Sequence, residues 1–250
     1  MKAPGAVESL INRKTTGRRS ICAVLIDPEN FTPKAAAEVA ASSIKAGASI
    51  ILVGGSTIAN QSQLDHVILA IKRHVTSPVV LFPGNITGIS HHADAILFSS
   101  LLNSTNPYFI IGAQALGAME VFKSGMESIP MGYLVFGSLS STSFIGQVNS
   151  LPPTKPNLAV IYALAARYLG MRALYLEAGS GATDPISPQT IQAVRKFFDG
   201  ILIVGGGITT AEQAKRVARS GADILVVGNL LQAPGFAKTL KEITAAIVRR

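Results

Sequence analysis

Three short apolar segments in the last third of the chain each run directly into glycine. They are YLEAGSGA at Tyr175–Ala182, ILIVGGGIT at Ile201–Thr209 and ILVVGN at Ile224–Asn229. Glycine has no Cβ, so the backbone N–H groups at these positions are open to the close approach of an anion. Three such segment ends in succession, each followed by a helical pattern, predict a phosphate-binding site.

Two carboxylates also follow predicted strands, Asp27 in LIDPEN and Glu177 in YLEAG. Magnesium in proteins usually takes one or two carboxylates and completes its shell with water and substrate phosphates. Asp27 fits this pattern together with a hydroxyl such as that of Ser56, whereas a zinc site would need a Cys or His cluster. We therefore expect Asp27 and Ser56 to bind Mg²⁺. The alternative is that Asp27 forms a turn or a helix cap before Pro28.

Glu177 stands in an otherwise apolar strand, which makes it the candidate for a general base or a clamp on substrate hydroxyls. The alternative is a structural carboxylate in a salt bridge. Tyr175 has the same strand parity, so it points to the same side as Glu177 and either lines the site or packs in the core. No predicted strand end presents Lys, Arg or His. That argues against Schiff-base chemistry and leaves phosphate binding to backbone amides and a helix N-terminus.

Strand-like runs and helical patterns alternate along the whole chain. The predicted strands are Ile21–Ile26, Ser49–Val53, Pro78–Phe82, Ala95–Phe98, Met131–Phe136, Ala173–Leu176, Ile201–Val204 and Ile224–Val227. The predicted helices are Pro33–Ala46, Ser62–Val75, Pro156–Leu169, Ser187–Phe198, Thr210–Ser220 and Gly235–Val248. This pattern predicts an α/β protein, a single (β/α)₈ TIM barrel over residues 1–250, with its phosphate site at the carboxyl ends of strands 6–8. A doubly wound open sheet is the alternative.

The segment Gly137–Thr154 has no clear helical period and is rich in Ser and Gly. It follows the fifth strand, at the end of a barrel where loops carry function. We expect it to be a substrate-proximal loop; an ordinary irregular connection is the alternative.

Composition bounds the class of protein. The chain has 250 residues, of which 48% are hydrophobic and 14% charged, with a net charge of +8. This predicts a folded domain whose basic field is either a solvated surface or an attraction for anionic substrates or a membrane face. Nucleic-acid binding is not expected, because Lys and Arg are dispersed without aromatic partners.

The single cysteine, Cys22, predicts a buried apolar position and a cytoplasmic protein. The uncharged stretch 95–119 is interrupted by polar residues and Pro107, so at most peripheral membrane contact is expected.

The motifs taken together resemble the geranylgeranylglyceryl phosphate synthase family, which includes the heptaprenylglyceryl phosphate synthases. The resemblance covers essentially the whole chain. Its motifs, in order, are LIDPEN, ILVGGST, LFPGN, YLEAGSGA, IVGGGI and VVGN. Two departures are Asn30, where relatives often have lysine, and FGSLSS after the fifth strand, where relatives commonly have an acidic residue.

The resemblance implies a Mg²⁺-dependent prenyl transfer. The C3 hydroxyl of sn-glycerol 1-phosphate attacks C1 of a polyprenyl diphosphate, foremost geranylgeranyl diphosphate, and diphosphate leaves. Asp27 and Ser56, or its neighbour Thr57, would bind the metal, and the family suggests a homo-oligomer, a dimer or a hexamer. The residues implied for glycerol phosphate are Tyr175, Leu176, Glu177, Ala178, Gly179, Ser180, Gly181, Gly206, Gly207, Gly228 and Asn229.

This chemistry requires an apolar groove for the prenyl tail. The candidates for its lining are Phe98, Leu101, Leu102, Tyr108, Phe109, Tyr133 and Phe144. Two other functions use the same barrel: a phosphosugar isomerase or lyase, and a non-catalytic barrel that binds phosphate or flavin mononucleotide.

Overall fold

The computed structural model describes residues 4–17, 19–55, 60–137 and 140–247. The strands are β1 (Ile21–Ile26), β2 (Ile50–Val53), β3 (Val79–Leu81), β4 (Ala95–Leu101), β5 (Glu127–Val135), β6 (Ala173–Glu177), β7 (Ile201–Gly205) and β8 (Ile224–Val227). The helices are α1 (Ala6–Thr15), α2 (Pro33–Lys45), α3 (Gln61–Lys72), α4 (Ala113–Ser124), α5 (Ser141–Ile145), α6 (Pro156–Tyr168), α7 (Pro188–Arg195), α8 (Ala211–Arg219) and α9 (Phe236–Ile247). Short 3₁₀ turns cover Ile86–Gly88 and Asn229–Gln232, and a π-helical turn covers Tyr108–Gly112.

The strands form a closed parallel barrel in sequence order. Closure is made by β1 and β8, where Ile21 lies opposite Ile224 and Val24 opposite Val227. An open sheet would instead leave two edge strands, each paired on one side only. The predicted TIM barrel is therefore confirmed, and all eight predicted strands are present.

Each strand contributes to two apolar layers, because successive side chains point to opposite faces. In β1, Ala23 packs inside the barrel while Val24 and Ile26 pack against the helices. In β6, Tyr175 packs inside and Leu176 packs outside. Because both faces are buried, the strands are continuous apolar runs rather than alternating ones.

Cys22 lies in the outer of these two layers. Its side chain is 1% exposed and forms no disulfide. Burial disfavours the thiolate and raises the pKa of the Cys22 thiol to about 12. The expected buried apolar position is confirmed.

Helix α1 packs across the amino-terminal end of the barrel and was not predicted from the sequence. Its Val7 and Ile11 belong to the inner core. Its first amides are capped from β5: the Glu127 carboxylate accepts from the N–H of Val7 at 2.6 Å and from the N–H of Glu8 at 2.9 Å. Glu8 in turn pairs with Arg172 at 2.8 Å.

Within the described ranges, no helix combines the length and apolar character that crossing a membrane requires.

Replacing Glu127 with alanine should destabilise the fold, because the first amides of α1 would lose their acceptor. We expect a loss of about 1–2 kcal/mol in the free energy of unfolding, measured by urea denaturation. Glu242→Ala, at an exposed position of α9, is the control and should change stability by less than about 0.5 kcal/mol. Equal effects of the two substitutions would contradict the capping role.

Candidate active site

A cavity of about 340 Å³ opens at the carboxyl ends of the strands. Eight of the residues predicted to bind substrate border it: Tyr175, Glu177, Ser180, Gly181, Gly206, Gly207, Gly228 and Asn229. The cavity has a glycine-rich end after β6, β7 and β8, a centre at Glu177, and an apolar arm towards β4 and α4. The structure thus brings together, around one cavity, most of the residues that the sequence analysis placed at strand ends.

Glu177, the last residue of β6, is buried at the centre of this cavity. Its Oε1 accepts a hydrogen bond from the N–H of Gly179 at 2.7 Å. The hydroxyls of Tyr175 and Tyr133 also donate to the carboxylate. No cation pairs with it among the described residues, which argues against the salt-bridge alternative.

Burial raises the pKa of Glu177 above its ordinary value, and the three hydrogen bonds, from Gly179, Tyr175 and Tyr133, offset only part of this rise. Burial, followed by the charge of Glu177, raises the pKa of both tyrosines well above the ordinary value. The tyrosines therefore stay protonated as donors at neutral pH. A carboxylate with a raised pKa and room in front of it is suited to accept a proton from a substrate hydroxyl.

Three aromatic rings support the carboxylate from inside the barrel. Tyr175 stacks on Phe82 with centroids 5.1 Å apart and meets Tyr133 edge-on at 5.1 Å. The Tyr175 hydroxyl reaches β7, where a Cβ on Gly205 would lie 1.9 Å from it. Tyr175 therefore both packs in the core and borders the cavity, so its two proposed roles coexist.

The glycine-rich end is built for close backbone approach. Gly206 and Gly207 have φ values of 82° and 69°, a region that favours glycine. The amides of Gly206, Gly207 and Asn229 donate to no acceptor among the described residues. The Ser180 hydroxyl donates to Oδ1 of Asn229 at 3.2 Å and so links the loops after β6 and β8. Free amides after the seventh and eighth strands form the common phosphate site of TIM barrels.

Three other residues predicted to bind glycerol phosphate do not border the cavity. Leu176 points into the layer between barrel and helices, and Ala178 packs against the same layer. Gly179 directs its amide at Glu177. Strand parity in the sequence already separates Leu176 from its neighbours, because residues 175 and 177 share the opposite face.

Asp27 lies just beyond β1, next to the cavity rather than on its wall. Its Oδ1 accepts from the N–H of Glu29 at 3.0 Å, so the turn-forming role is present. The carboxylate packs on Gly55, which does border the cavity; a Cβ there would lie 2.7 Å from Oδ2. Burial raises the pKa of Asp27, the Glu29 amide lowers it and the Glu29 charge raises it, with burial the largest effect. The predicted partner Ser56, like Thr57, lies outside the described residues.

The apolar arm contains four of the predicted groove residues, Phe98, Leu101, Phe109 and Tyr133. Leu102, Tyr108 and Phe144 do not border it, and Phe144 is 77% exposed. These three assignments were wrong because an apolar side chain near the site can also face away from it. Residues that sequence reasoning missed complete the arm: Ile86, Ile89, Ile96, Ala113, Gln114, Gly117 and Ile145.

Helix α4 forms one wall of this arm. A Cβ on Gly117 would lie 2.7 Å from Cδ1 of Ile89, so the helix approaches the loop after β3 closely. Gln114 Nε2 donates to the carbonyl of Phe109 at 3.2 Å, within the π-helical turn that precedes α4. Such turns occur often at functional sites. In the sequence, the close approach of α4 could have been predicted from the AxxxG spacing of Ala113 and Gly117.

Residues 15–247 of the chain match the model of the PcrB family. The chain belongs to this family. It is 50% identical over 243 residues to the geranylgeranylglyceryl phosphate synthase of Cenarchaeum symbiosum, an alignment that covers 97% of this chain and 98% of that protein. The resemblance stated from the motifs is confirmed.

Solved structures agree with this family assignment. The (S)-3-O-geranylgeranylglyceryl phosphate synthase of Thermoplasma acidophilum, in complex with its substrate sn-glycerol-1-phosphate, superposes with a TM-score of 0.94 at 36% identity, covering 98% of this chain and 99% of that one. The GGGPS of Thermoplasma volcanium superposes with a TM-score of 0.94 at 38% identity, covering 98% of both chains. This PcrB-family chain therefore shares the complete barrel of those enzymes.

Gly206→Ala should weaken binding of an anion such as inorganic phosphate at the glycine-rich end. The new Cβ would lie 2.5 Å from Oε1 of Glu177 and 2.8 Å from the carbonyl oxygen of Gly179. The backbone must move to relieve this crowding, which displaces the amides of Gly206 and Gly207, so we expect roughly a tenfold or larger loss of affinity in calorimetric titration. Gly235→Ala is the matched control, because Gly235 also has a positive φ (74°) but nothing within 4 Å of its added Cβ. Unchanged affinity in Gly206→Ala would argue against a ligand at this end.

Proposed function

We propose that this chain is a Mg²⁺-dependent geranylgeranylglyceryl phosphate synthase. It transfers the geranylgeranyl group of geranylgeranyl diphosphate to the C3 hydroxyl of sn-glycerol 1-phosphate, forming the ether bond of an ether phospholipid precursor and releasing diphosphate. The observation that carries the proposal is one cavity with a glycine-rich end, a buried Glu177 and an apolar arm, in a chain 50% identical to such a synthase over 97% of its length.

The glycine-rich end accounts for binding of glycerol phosphate. The free amides of Gly206, Gly207 and Asn229 meet the phosphate oxygens without a side chain in the way. Charged hydrogen bonds of this kind are stronger than neutral ones, so the phosphate is the anchor of the small substrate. Its glycerol part then extends towards Glu177, which borders the same cavity.

Glu177 orients the C3 hydroxyl and takes its proton. The new O–C1 bond forms as the bond from C1 to the diphosphate oxygen breaks, and the hydroxyl proton passes to the Glu177 carboxylate. The raised pKa of Glu177 makes its carboxylate a better proton acceptor than an exposed one. The Gly179 amide and the two tyrosines keep the carboxylate in place while this happens.

Asp27 and Ser56 are the residues that would hold Mg²⁺. Bound there, the cation would neutralise charge on the diphosphate leaving group. The surroundings of Asp27 fit a divalent cation, because burial already disfavours its isolated charge and a cation would offset that cost. Among the described residues there is no cluster of three or more His, Cys, Asp or Glu side chains, and magnesium typically needs only one or two protein carboxylates.

The apolar arm accounts for the prenyl tail. Burial of each CH₂ group contributes about 0.8 kcal/mol, so a chain of many such groups can outweigh any single polar contact. Phe98, Leu101 and Phe109 supply this surface on the β4 and α4 side of the cavity. The reacting C1 atom then lies where the arm meets Glu177.

We also propose that the protein is a cytoplasmic homo-oligomer, a dimer or a hexamer, with at most peripheral membrane contact. Leu116, Met119 and Phe122 of α4 are 66%, 61% and 82% exposed. An exposed apolar row of this kind is typical of a surface that another chain covers.

Glu177→Gln should lose most of the transfer activity, because the amide cannot accept the hydroxyl proton. In an assay with sn-glycerol 1-phosphate, labelled geranylgeranyl diphosphate and Mg²⁺, we expect organic-extractable product to form about 10²–10⁴-fold more slowly. Wild-type activity should fall as the pH drops through the raised pKa of Glu177, and the variant should lack this acid limb. Glu212→Gln, at an exposed position of α8, is the control and should behave as wild type. No product from the wild-type protein, with several prenyl lengths tried, would refute the proposed function.

Asp27→Ala should abolish transfer while sn-glycerol 1-phosphate still binds, because Asp27 borders Gly55 rather than the glycine-rich end. Turnover measured against Mg²⁺ concentration, together with calorimetric binding of sn-glycerol 1-phosphate, separates the two effects. Chelation of Mg²⁺ from the wild-type protein should reproduce the loss of turnover. Equal loss of turnover and of glycerol phosphate affinity in the variant would contradict the metal role.

A further inference from the structure

A buried asparagine just after β4 is bonded to the end of β5. Strand β4 ends at Leu101, which lies opposite Tyr133 in β5. Two residues further on, the side chain of Asn103 pairs with the backbone of Val135 as a strand would. Its Oδ1 accepts from the Val135 N–H at 3.2 Å, and its Nδ2 donates to the Val135 carbonyl at 2.9 Å. The Asn103 side chain therefore extends the contact between β4 and β5 beyond the last residue of β4.

The same side chain also holds the loop that follows β5. We call residues 140–151, which include α5, the α5 loop. Nδ2 of Asn103 donates to the carbonyl of Asn149 at 3.1 Å, and the Asn149 N–H donates to the carbonyl of Asn103 at 2.9 Å. Asn103 is only 2% exposed, so this fully bonded amide joins three segments of the chain in the interior.

The next residue makes a second tie to the α5 loop. The hydroxyl of Ser104, which is buried, donates to the carbonyl of Gly146 at 2.6 Å. The backbone of Ser104 also forms an antiparallel bridge with Val148. We call Asn103 and Ser104 the clamp. The clamp bonds the α5 loop just beyond the end of α5.

The shape of the α5 loop depends on support from outside the loop. Helix α5 has five residues, which is too short for a helix that is stable alone. Gln147 has a φ of 48°, a value that residues other than glycine keep only where their surroundings hold them. The Gln147 carbonyl accepts from the N–H and the hydroxyl of Thr105, at 2.9 and 2.8 Å. The segment after β4 therefore imposes the shape of this loop.

The α5 loop forms one wall of the apolar arm. Thr142, Ile145 and Gly146 border the cavity, as the sequence predicted for a substrate-proximal loop. A Cβ on Gly146 would lie 2.5 Å from Cδ2 of Leu101, so the loop lies directly against the end of β4. The two clamp residues do not border the cavity. The clamp can therefore act on a ligand in the arm only by placing the loop that does border it.

We propose that Asn103, together with Ser104, is a positioning residue for the prenyl substrate: the clamp holds the α5 loop in place as a wall of the apolar arm. This inference rests on the proposed transfer of a prenyl group. A molecule with a displaced wall binds the prenyl chain less well, so the apparent affinity falls with the fraction of molecules in which the wall is in place. Among the described residues, the hydrogen bonds of the clamp go to β4, β5 and the segments that follow these two strands. The glycine-rich end after β6, β7 and β8 does not depend on them.

The test compares Asn103→Ala and Ser104→Ala, which remove clamp bonds, with Thr105→Val. The third variant is the matched control, because the Gln147 carbonyl keeps its bond from the Thr105 N–H. Initial rates are measured separately against geranylgeranyl diphosphate and against sn-glycerol 1-phosphate. In both clamp variants the KM for geranylgeranyl diphosphate should rise about fivefold or more, the factor that corresponds to a typical hydrogen bond. The KM for sn-glycerol 1-phosphate and kcat should stay within about twofold, and the control should behave as wild type.

Hydrogen exchange provides a second readout that does not need turnover. The Asn149 N–H, which is bonded to Asn103, should exchange faster in both clamp variants and at the wild-type rate in Thr105→Val. Calorimetric titration with geranylgeranyl diphosphate alone should show the same loss of affinity as the KM. If Asn103→Ala does not fold, Ser104→Ala carries all three measurements.

The outcomes separate this inference from the proposed function. The inference is overturned by an unchanged KM for geranylgeranyl diphosphate, by an equal rise in the KM of both substrates, or by unchanged exchange at Asn149. An effect of Thr105→Val as large as that of Ser104→Ala would also overturn it. In each of these cases the proposed function stands, provided that the wild-type protein forms the prenylated product. If the wild-type protein forms none, the proposed function fails and the inference fails with it.

Discussion

This site depends on one buried carboxylate, that of Glu177, which is stabilised by hydrogen-bond donors rather than by a cation. Glu177 is stabilised by the Gly179 amide and by two phenol hydroxyls. The two phenols come from neighbouring strands, Tyr133 from β5 and Tyr175 from β6, so the register must bring them to one level. Val135, Glu177 and Gly205 lie opposite one another across β5, β6 and β7. A shift of one residue in any of these strands would turn its side chains to the other face of the barrel.

The same cavity offers opposite environments at its two ends. The glycine-rich end presents bare amides to an anion, which requires water to be displaced from strongly polar groups. The apolar arm gains from displacing water around hydrocarbon. Phe82, Tyr133 and Tyr175 close the floor between the two ends. A substrate pair with one phosphate handle and one hydrocarbon tail suits this division, and Glu177 borders the same cavity.

Local patterns were sufficient to predict the barrel and the polar centre of the site. The strands are continuous apolar runs that stop at glycine or at a carboxylate, so Glu177, Gly206 and Gly207 could be placed from the sequence. Helix α4 was missed because Leu116, Met119 and Phe122 leave it without a polar face. Helix α1 was missed because its cap, Glu127, lies about a hundred and twenty residues away in the chain.

Because Cys22 is buried, its reaction with thiol reagents can report how often the barrel wall opens. With a pKa of about 12 and 1% exposure, this thiol is almost entirely protonated and out of reach in the folded barrel. Thiol reagents act on the thiolate, so at neutral pH they modify only molecules in which β1 has separated from its covering helices. The rate of labelling then measures how often the outer layer comes apart. Because Cys22 is the single cysteine of the chain, that rate belongs to one known place in the barrel wall.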